Sequence, residues 1–226
     1  MNILIVAAHP DDEILGCGGT AARLALQGDT VCAVILGEGV TSRDEKRDRR
    51  TRESEINNLK KQMKKACRLA GIKKVFSFNL PDNRFDTVPL LEIIKKIESV
   101  KKSFAPEIVF THHCGDLNVD HRLTAEAVVT AFRPLSGETA REIYAFEVPS
   151  STEWGSTSAR AFTPNFFVDI TNTLDVKLSA LQAYSSEMRE FPHPRSFDAV
   201  RIYAHRWGAQ AGLFAAEAFE VVRIIK

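Results

Sequence analysis

Short apolar runs, each followed by a polar turn and then a helical pattern, constrain this chain more than any other feature. NILIVAA (2–8) and TVCAVILG (30–37) are continuously apolar and rich in β-branched residues. A strand buried on both faces reads this way, and such burial is the habit of parallel sheets. KKVFSFNL (73–80) and EIVFTHH (107–113) read as third and fourth strands. Between them the spacing predicts helices from about Gly16 to Gln27, over 43–70 and over 90–102, the first two stopped by Gly28 and Gly71. A βαβαβαβ alternation predicts an α/β fold, a twisted parallel sheet with helices on both faces.

The second half is less regular. Strands are expected at 142–148, 165–170 and 218–225, with helices at 171–184 and 196–211. The Ser/Thr-rich stretch 149–164, which contains Trp154, reads as a loop. No repeat, low-complexity tract or boundary interrupts the pattern, so one domain is expected over 1–226.

Composition narrows the partners. Hydrophobic residues make up 44% and the formal net charge is +1, so nothing draws the whole molecule to nucleic acid or anionic membranes. The basic run DEKRDRRTR (44–52) has acids mixed into it and reads as a solvated helix face. The first apolar run is short and turns acidic, and no run is long enough to span a membrane; the expected location is the cytoplasm. Cys17, Cys32, Cys67 and Cys114 form no C-x-x-C pair and read as reduced thiols, with a packing role favoured over a nucleophilic one for Cys17 and Cys114.

The chemistry-bearing residues sit at two strand ends. His9-Pro10-Asp11-Asp12-Glu13 follows the first strand, and His113 to His121 (HCGDLNVDH) follows the fourth. Ligands of open α/β sheets bind beyond the carboxyl ends of the strands, where the strand order reverses. In the common doubly wound orders the first and fourth strands are neighbours there. His9, Asp12 and His121 would then supply two imidazoles and one carboxylate, enough for a catalytic zinc with a position left for water. Asp11 is the acid beside the metal that is placed to take a proton from that water. Asp120 is placed to fix a ligand imidazole's tautomer. Strand alternation sends His112 and His113 to opposite faces, so at most one lines the cleft, as a reserve ligand. The bland alternative is a turn histidine and aspartates that cap a helix near Gly16. Paired aspartates also hold Mg²⁺ for phosphoryl hydrolysis, but two imidazoles favour the softer zinc. A sugar- or nucleotide-binding module without turnover is the remaining alternative.

AAHPDDEILGCGGT (7–20) and GDLNVDHRLTAEAV (115–128) resemble the PIG-L/LmbE-like family of zinc-dependent N-acetylglucosamine deacetylases. The resemblance extends to GEGVTSR (37–43), LPDNRFD (80–86), EVPSSTEW (147–154), FPHPRS (191–196) and AEAF (216–219). It implies a Rossmann-like fold, an N-acylated amino-sugar substrate, and homo-trimers or homo-hexamers. It makes His9, Asp12 and His121 the metal ligands and Asp11 the general base. One position departs from the pattern: the family motif H-x-D-H has Asn118 in place of its first histidine. An amide can donate to an oxyanion but cannot release a proton to a leaving amine. That task is expected of His193 or of protonated Asp11. Arg43, Arg84, Arg195 and Trp154 are the expected substrate contacts.

Overall fold

The computed structural model describes residues 1–43, 47–155 and 160–226, with the side chain of Arg43 also outside the described set. Seven strands form one sheet in the order β3-β2-β1-β4-β5-β7-β6. They are β1 (Asn2–Ala7), β2 (Thr30–Gly37), β3 (Lys74–Leu80), β4 (Ile108–His112), β5 (Glu142–Phe146), β6 (Phe166–Asp169) and β7 (Ala216–Ile224). The first five are parallel, while β7 runs antiparallel to both β5 and β6. The helices are α1 (Asp12–Leu26), α2 (Glu53–Leu69), α3 (Leu90–Phe104), α4 (Val119–Ala131), α5 (Leu174–Ala183) and α6 (Phe197–Ala211).

The continuous apolar character of β1 now has its cause. Ile3, Ile5 and Ala7 enter one core with residues of α1, α2 and α5, and Leu4, Val6 and Ala8 enter a second with residues of α3 and α4. Both faces are covered, so polar alternation would leave unpaired groups in a core. β1 pairs with β4 as expected, Ile3 opposite Ile108, and the strand order reverses between them. That reversal opens the crevice in which the two polar clusters meet.

Three helical expectations need correction. α1 begins at Asp12, ahead of Gly16, and is kinked at Cys17 (φ −147°, ψ 28°). Glu217 of β7 accepts the amides of Gly19 and Thr20 just past the kink, at 3.0 and 2.7 Å, and pairs with Lys177 at 2.6 Å. Gly16 permits close packing there, since a Cβ would lie 2.3 Å from the Phe146 ring. Second, α2 begins at Glu53 and not at 43: residues 44–46 lie outside the described set, and buried Glu38 binds Arg47 at 2.7 Å and Arg49 at 2.9 Å, which lie outside the helix. Third, α4 was not anticipated. Its start signal is Asn118, whose side chain caps the helix by accepting the Asp120 amide.

Candidate metal centre and its surroundings

The loop after β1 is built backwards from an ordinary helix cap. Asp11 occupies the N-cap position of α1, yet its side chain makes no capping bond. Its backbone sits at φ 106°, a conformation that costs a residue with a Cβ about 1–3 kcal/mol unless its surroundings enforce it. Asp12 Oδ2 accepts the amide of His9 at 2.8 Å, and Glu13 Oε2 accepts the amide of Asp11 at 3.0 Å. The acids therefore fold the loop onto itself. The capping reading of the aspartates fails here.

Around Asp12 the imidazoles converge. His9 Nδ1 lies 3.4 Å and His121 Nε2 3.2 Å from Asp12 Oδ2. Two ligands about 2.1 Å from a common tetrahedral centre are about 3.4 Å apart, so this spacing suits one zinc-sized ion. Asp12 Oδ1 and His121 Nε2 are buried with no hydrogen-bond partner, which buried polar atoms rarely tolerate. The ligand atoms of His9, Asp12 and His121 all lie within 4.8 Å of one another. The residues fit a divalent cation.

A carboxylate stands behind each imidazole. His9 Nε2 meets Asp120 Oδ2 at 2.9 Å, and Asp120 also accepts the amides of Asn83 and Phe85 at 2.7 and 2.9 Å. Asp82 approaches the same His9 nitrogen at 3.3 Å and accepts the Ser42 hydroxyl at 2.6 Å. His121 Nδ1 lies 3.1 Å from Asp116, which accepts Thr152 Oγ1 at 2.6 Å, the Asn118 amide at 2.8 Å and the Ser151 hydroxyl. A carboxylate on the far ring nitrogen fixes the tautomer that a metal needs. Burial disfavours charge on His121, but Asp12 and Asp116 outweigh it and push its pKa up to about 9. Burial also opposes charge on Asp12, yet His121 and His9 hold it well below the carboxylate range.

His112 and His113 do part, as strand alternation requires. His112 stacks on His121 with ring centroids 4.0 Å apart, but its Nε2 accepts the Ala8 amide at 2.8 Å. That lone pair is committed. His113 turns away to Glu220 at 2.8 Å.

Asp11 points to the other wall. Its Oδ2 meets Arg195 Nη1 at 2.8 Å, and Arg195 Nε also reaches Ser150 Oγ at 2.8 Å. Burial pushes the Asp11 carboxyl up to about 8, against the pull of Arg195 and with repulsion from Asp12. The guanidinium expected to meet substrate thus lies on the expected base. His193 accepts the Arg195 amide at Nδ1 (3.1 Å), and its ring meets the edge of Trp154, which is 52% exposed. Asn118 is tied down: its oxygen caps α4, and Nδ2 donates to Asn83 at 2.8 Å. Arg84 is half-buried at the start of the turn Phe85–Thr87, beside the amides that hold Asp120. Only the backbone of Arg43 is described, in the turn Thr41–Arg43. Cys17 is buried, and burial holds its thiol well above its usual range, as an inert packing residue requires.

The sequence reading missed Glu13, Asp82 and Asp116. Glu13 was visible inside the first motif, and Asp116 inside the second. Asp82 was visible only as part of a turn, Pro81-Asp82-Asn83.

Residues 4–132 match the PIG-L family model, GlcNAc-PI de-N-acetylase. The chain belongs to that family. It is 31% identical over 191 residues to the uncharacterized deacetylase YaiS of Escherichia coli, covering 82% of this chain and 91% of that one. It is 26% identical over 238 residues to the diacetylchitobiose deacetylase of Thermococcus kodakarensis, covering 98% and 83% of the two. Among solved structures it is similar to a 4-carboxy-2-hydroxymuconate hydratase of Pseudomonas putida, with TM-score 0.78, 22% identity, and coverage of 100% of this chain and 99% of that one. The family fold therefore hosts both deacetylases and a hydratase. Among the described residues, no helix is long and apolar enough to cross a membrane.

Proposed function

We propose that this protein is a zinc-dependent hydrolase that removes the acetyl group from an N-acetylglucosamine derivative. One observation carries the reading: the ligand atoms of His9, Asp12 and His121 lie within 4.8 Å of one another, and Asp12 Oδ1 and His121 Nε2 are buried without a hydrogen-bond partner. Zinc held there would supply Lewis acidity, lowering the pKa of water toward 7 and polarising the acyl oxygen.

The protein's own groups do the rest. Asp11 takes the proton from the attacking water; Arg195 holds Oδ2, which leaves Oδ1 to receive it. Asp120 keeps His9 in the tautomer that ligation requires, and the Asp116 carboxylate, 3.1 Å from His121 Nδ1, favours a proton on that nitrogen. One N–H of Asn118 remains beyond its bond to Asn83, as a donor toward an oxyanion. The sugar amine leaves with the proton that Asp11 took from the water. The Arg195 amide donates to His193 Nδ1, so Nε2–H is the ring's donor toward substrate, placed to stabilise the developing charge. Trp154 and Arg84 contribute to the sugar contact.

Metal analysis, followed by acetate release from N-acetylglucosamine derivatives with and without chelator, tests the reading. One zinc per chain and chelator-sensitive acetate release are expected; release that survives complete metal removal would refute it. For His193, replacement in His193→Ala should lower kcat by about a hundredfold, as loss of one hydrogen-bond donor to a developing oxyanion does. A rate within a few-fold of wild type would eliminate that role. Asn118 favours a second reading, since it carries no transferable proton and a 29%-identical relative in Pseudomonas putida is a 4-oxalmesaconate hydratase. Water addition to an unsaturated acid, with no acetate release, would select it.

A further inference from the structure

We propose that Glu13, braced by Tyr184, is a positioning residue that fixes the backbone of Asp11 and so aims its carboxylate at the reaction centre. This rests on the reading of Asp11 as base. In a capping box an acid inside the first turn accepts the N-cap amide while the N-cap side chain returns the bond into the helix. Here only the half made by the acid is present. Glu13 Oε2 accepts the Asp11 amide at 3.0 Å, and the Asp11 carboxylate makes no cap and goes to Arg195 instead. The half-made box keeps the helix start ordered and frees the N-cap side chain for chemistry.

Glu13 is fully buried, and both of its oxygens are used. Oε1 accepts the Tyr184 hydroxyl at 2.6 Å and the Cys67 thiol at 3.4 Å. Tyr184 is itself fully buried just past the end of α5, and Cys67 lies on α2. Two helices distant in sequence thus set the rotamer of Glu13, and Glu13 sets Asp11. The Asp11 backbone, at φ 106°, needs such a restraint, because an aspartate released from it would relax toward negative φ and swing its carboxylate away. An acid that served only the helix dipole would need neither the phenol nor the amide outside the helix.

The test compares wild type, Glu13→Ala, Glu13→Gln and Tyr184→Phe by kcat, KM, bound metal and hydrogen exchange of the Asp11 amide in the metal-free protein. Removing the acceptor in Glu13→Ala should cost about 10–100-fold in kcat, with KM and metal stoichiometry unchanged and Asp11 exchange accelerated. Glu13→Gln should recover most of kcat, because its amide oxygen accepts the Asp11 amide and its NH₂ meets the phenol oxygen. Tyr184→Phe should fall between, with faster Asp11 exchange. Wild-type kcat in Glu13→Ala, equal losses in Gln and Ala, or unchanged Asp11 exchange would each overturn the proposal. If Glu13→Ala does not fold, Tyr184→Phe decides by the same readouts. Absence of amide hydrolysis in wild type would defeat the proposed function, while the exchange measurement would still judge this one.

Discussion

The half of the molecule built on β1–β4 and the half built on β5–β7 contribute to one site in different ways. The first supplies each residue of the His9, Asp12 and His121 cluster, and also Asp82 and Asp120. The second supplies none of these, yet it holds several of the site's acids. Ser151 and Thr152 grip Asp116, Arg195 grips Asp11, and Tyr184 grips Glu13. Parallel strands deliver ligands because their ends lie together at the switch point. The far edge of the sheet, β5 to β7, and its loops deliver orientation.

Substitutions can break or sharpen this division. The largest effect should follow loss of a ligand: His121→Ala or Asp12→Ala should lower bound metal from one per chain to near zero and abolish turnover. Metal analysis checks this, and a fully loaded variant would place the ion elsewhere. Asp11→Asn should keep the metal and lose about 10²–10⁴-fold in kcat, the usual contribution of a general base. Steady-state kinetics on the loaded protein gives the answer, and a loss of metal instead would make Asp11 a ligand. Arg195→Met, a change in the second half, should keep the metal and cost about 10–100-fold in kcat. A rise in KM with kcat unchanged would return Arg195 to substrate binding. The smallest effect is structural: Ser196 caps α6 by accepting the Ala199 amide at 3.0 Å, so Ser196→Ala should cost about 1 kcal/mol in chemical denaturation.

The same division explains what the sequence disclosed. Strand positions in the parallel half are readable because burial on both faces leaves a continuous apolar run, as in Ile3 to Ala8. The candidate ligands follow from that frame, since His9 and the segment 113–121 fall directly after two strands that the common doubly wound orders make neighbours. Tertiary approach is not written locally. Nothing near Arg195 announces that it will cross to Asp11, and nothing near Glu38 announces that it will pair with Arg47 and Arg49. α4 was overlooked although Asn118 marks its start, because that residue stood inside a motif read for chemistry and not for capping. Asp116 shares the lesson: its partners come from Ser151 and Thr152, on a loop with no apolar period.

Among the described residues, two groups of side chains could hold the proposed ion, His9 with Asp12 and His121, and His9 with Asp82 and Asp120. They use opposite nitrogens of the same ring. Anomalous scattering at the zinc edge from crystals of the zinc-loaded protein separates them directly. A single peak about 2.0–2.2 Å from His9 Nδ1, an Asp12 oxygen and His121 Nε2 is the predicted result. A peak at His9 Nε2 between Asp82 and Asp120, or none at either group, would contradict the assignment of the ligands.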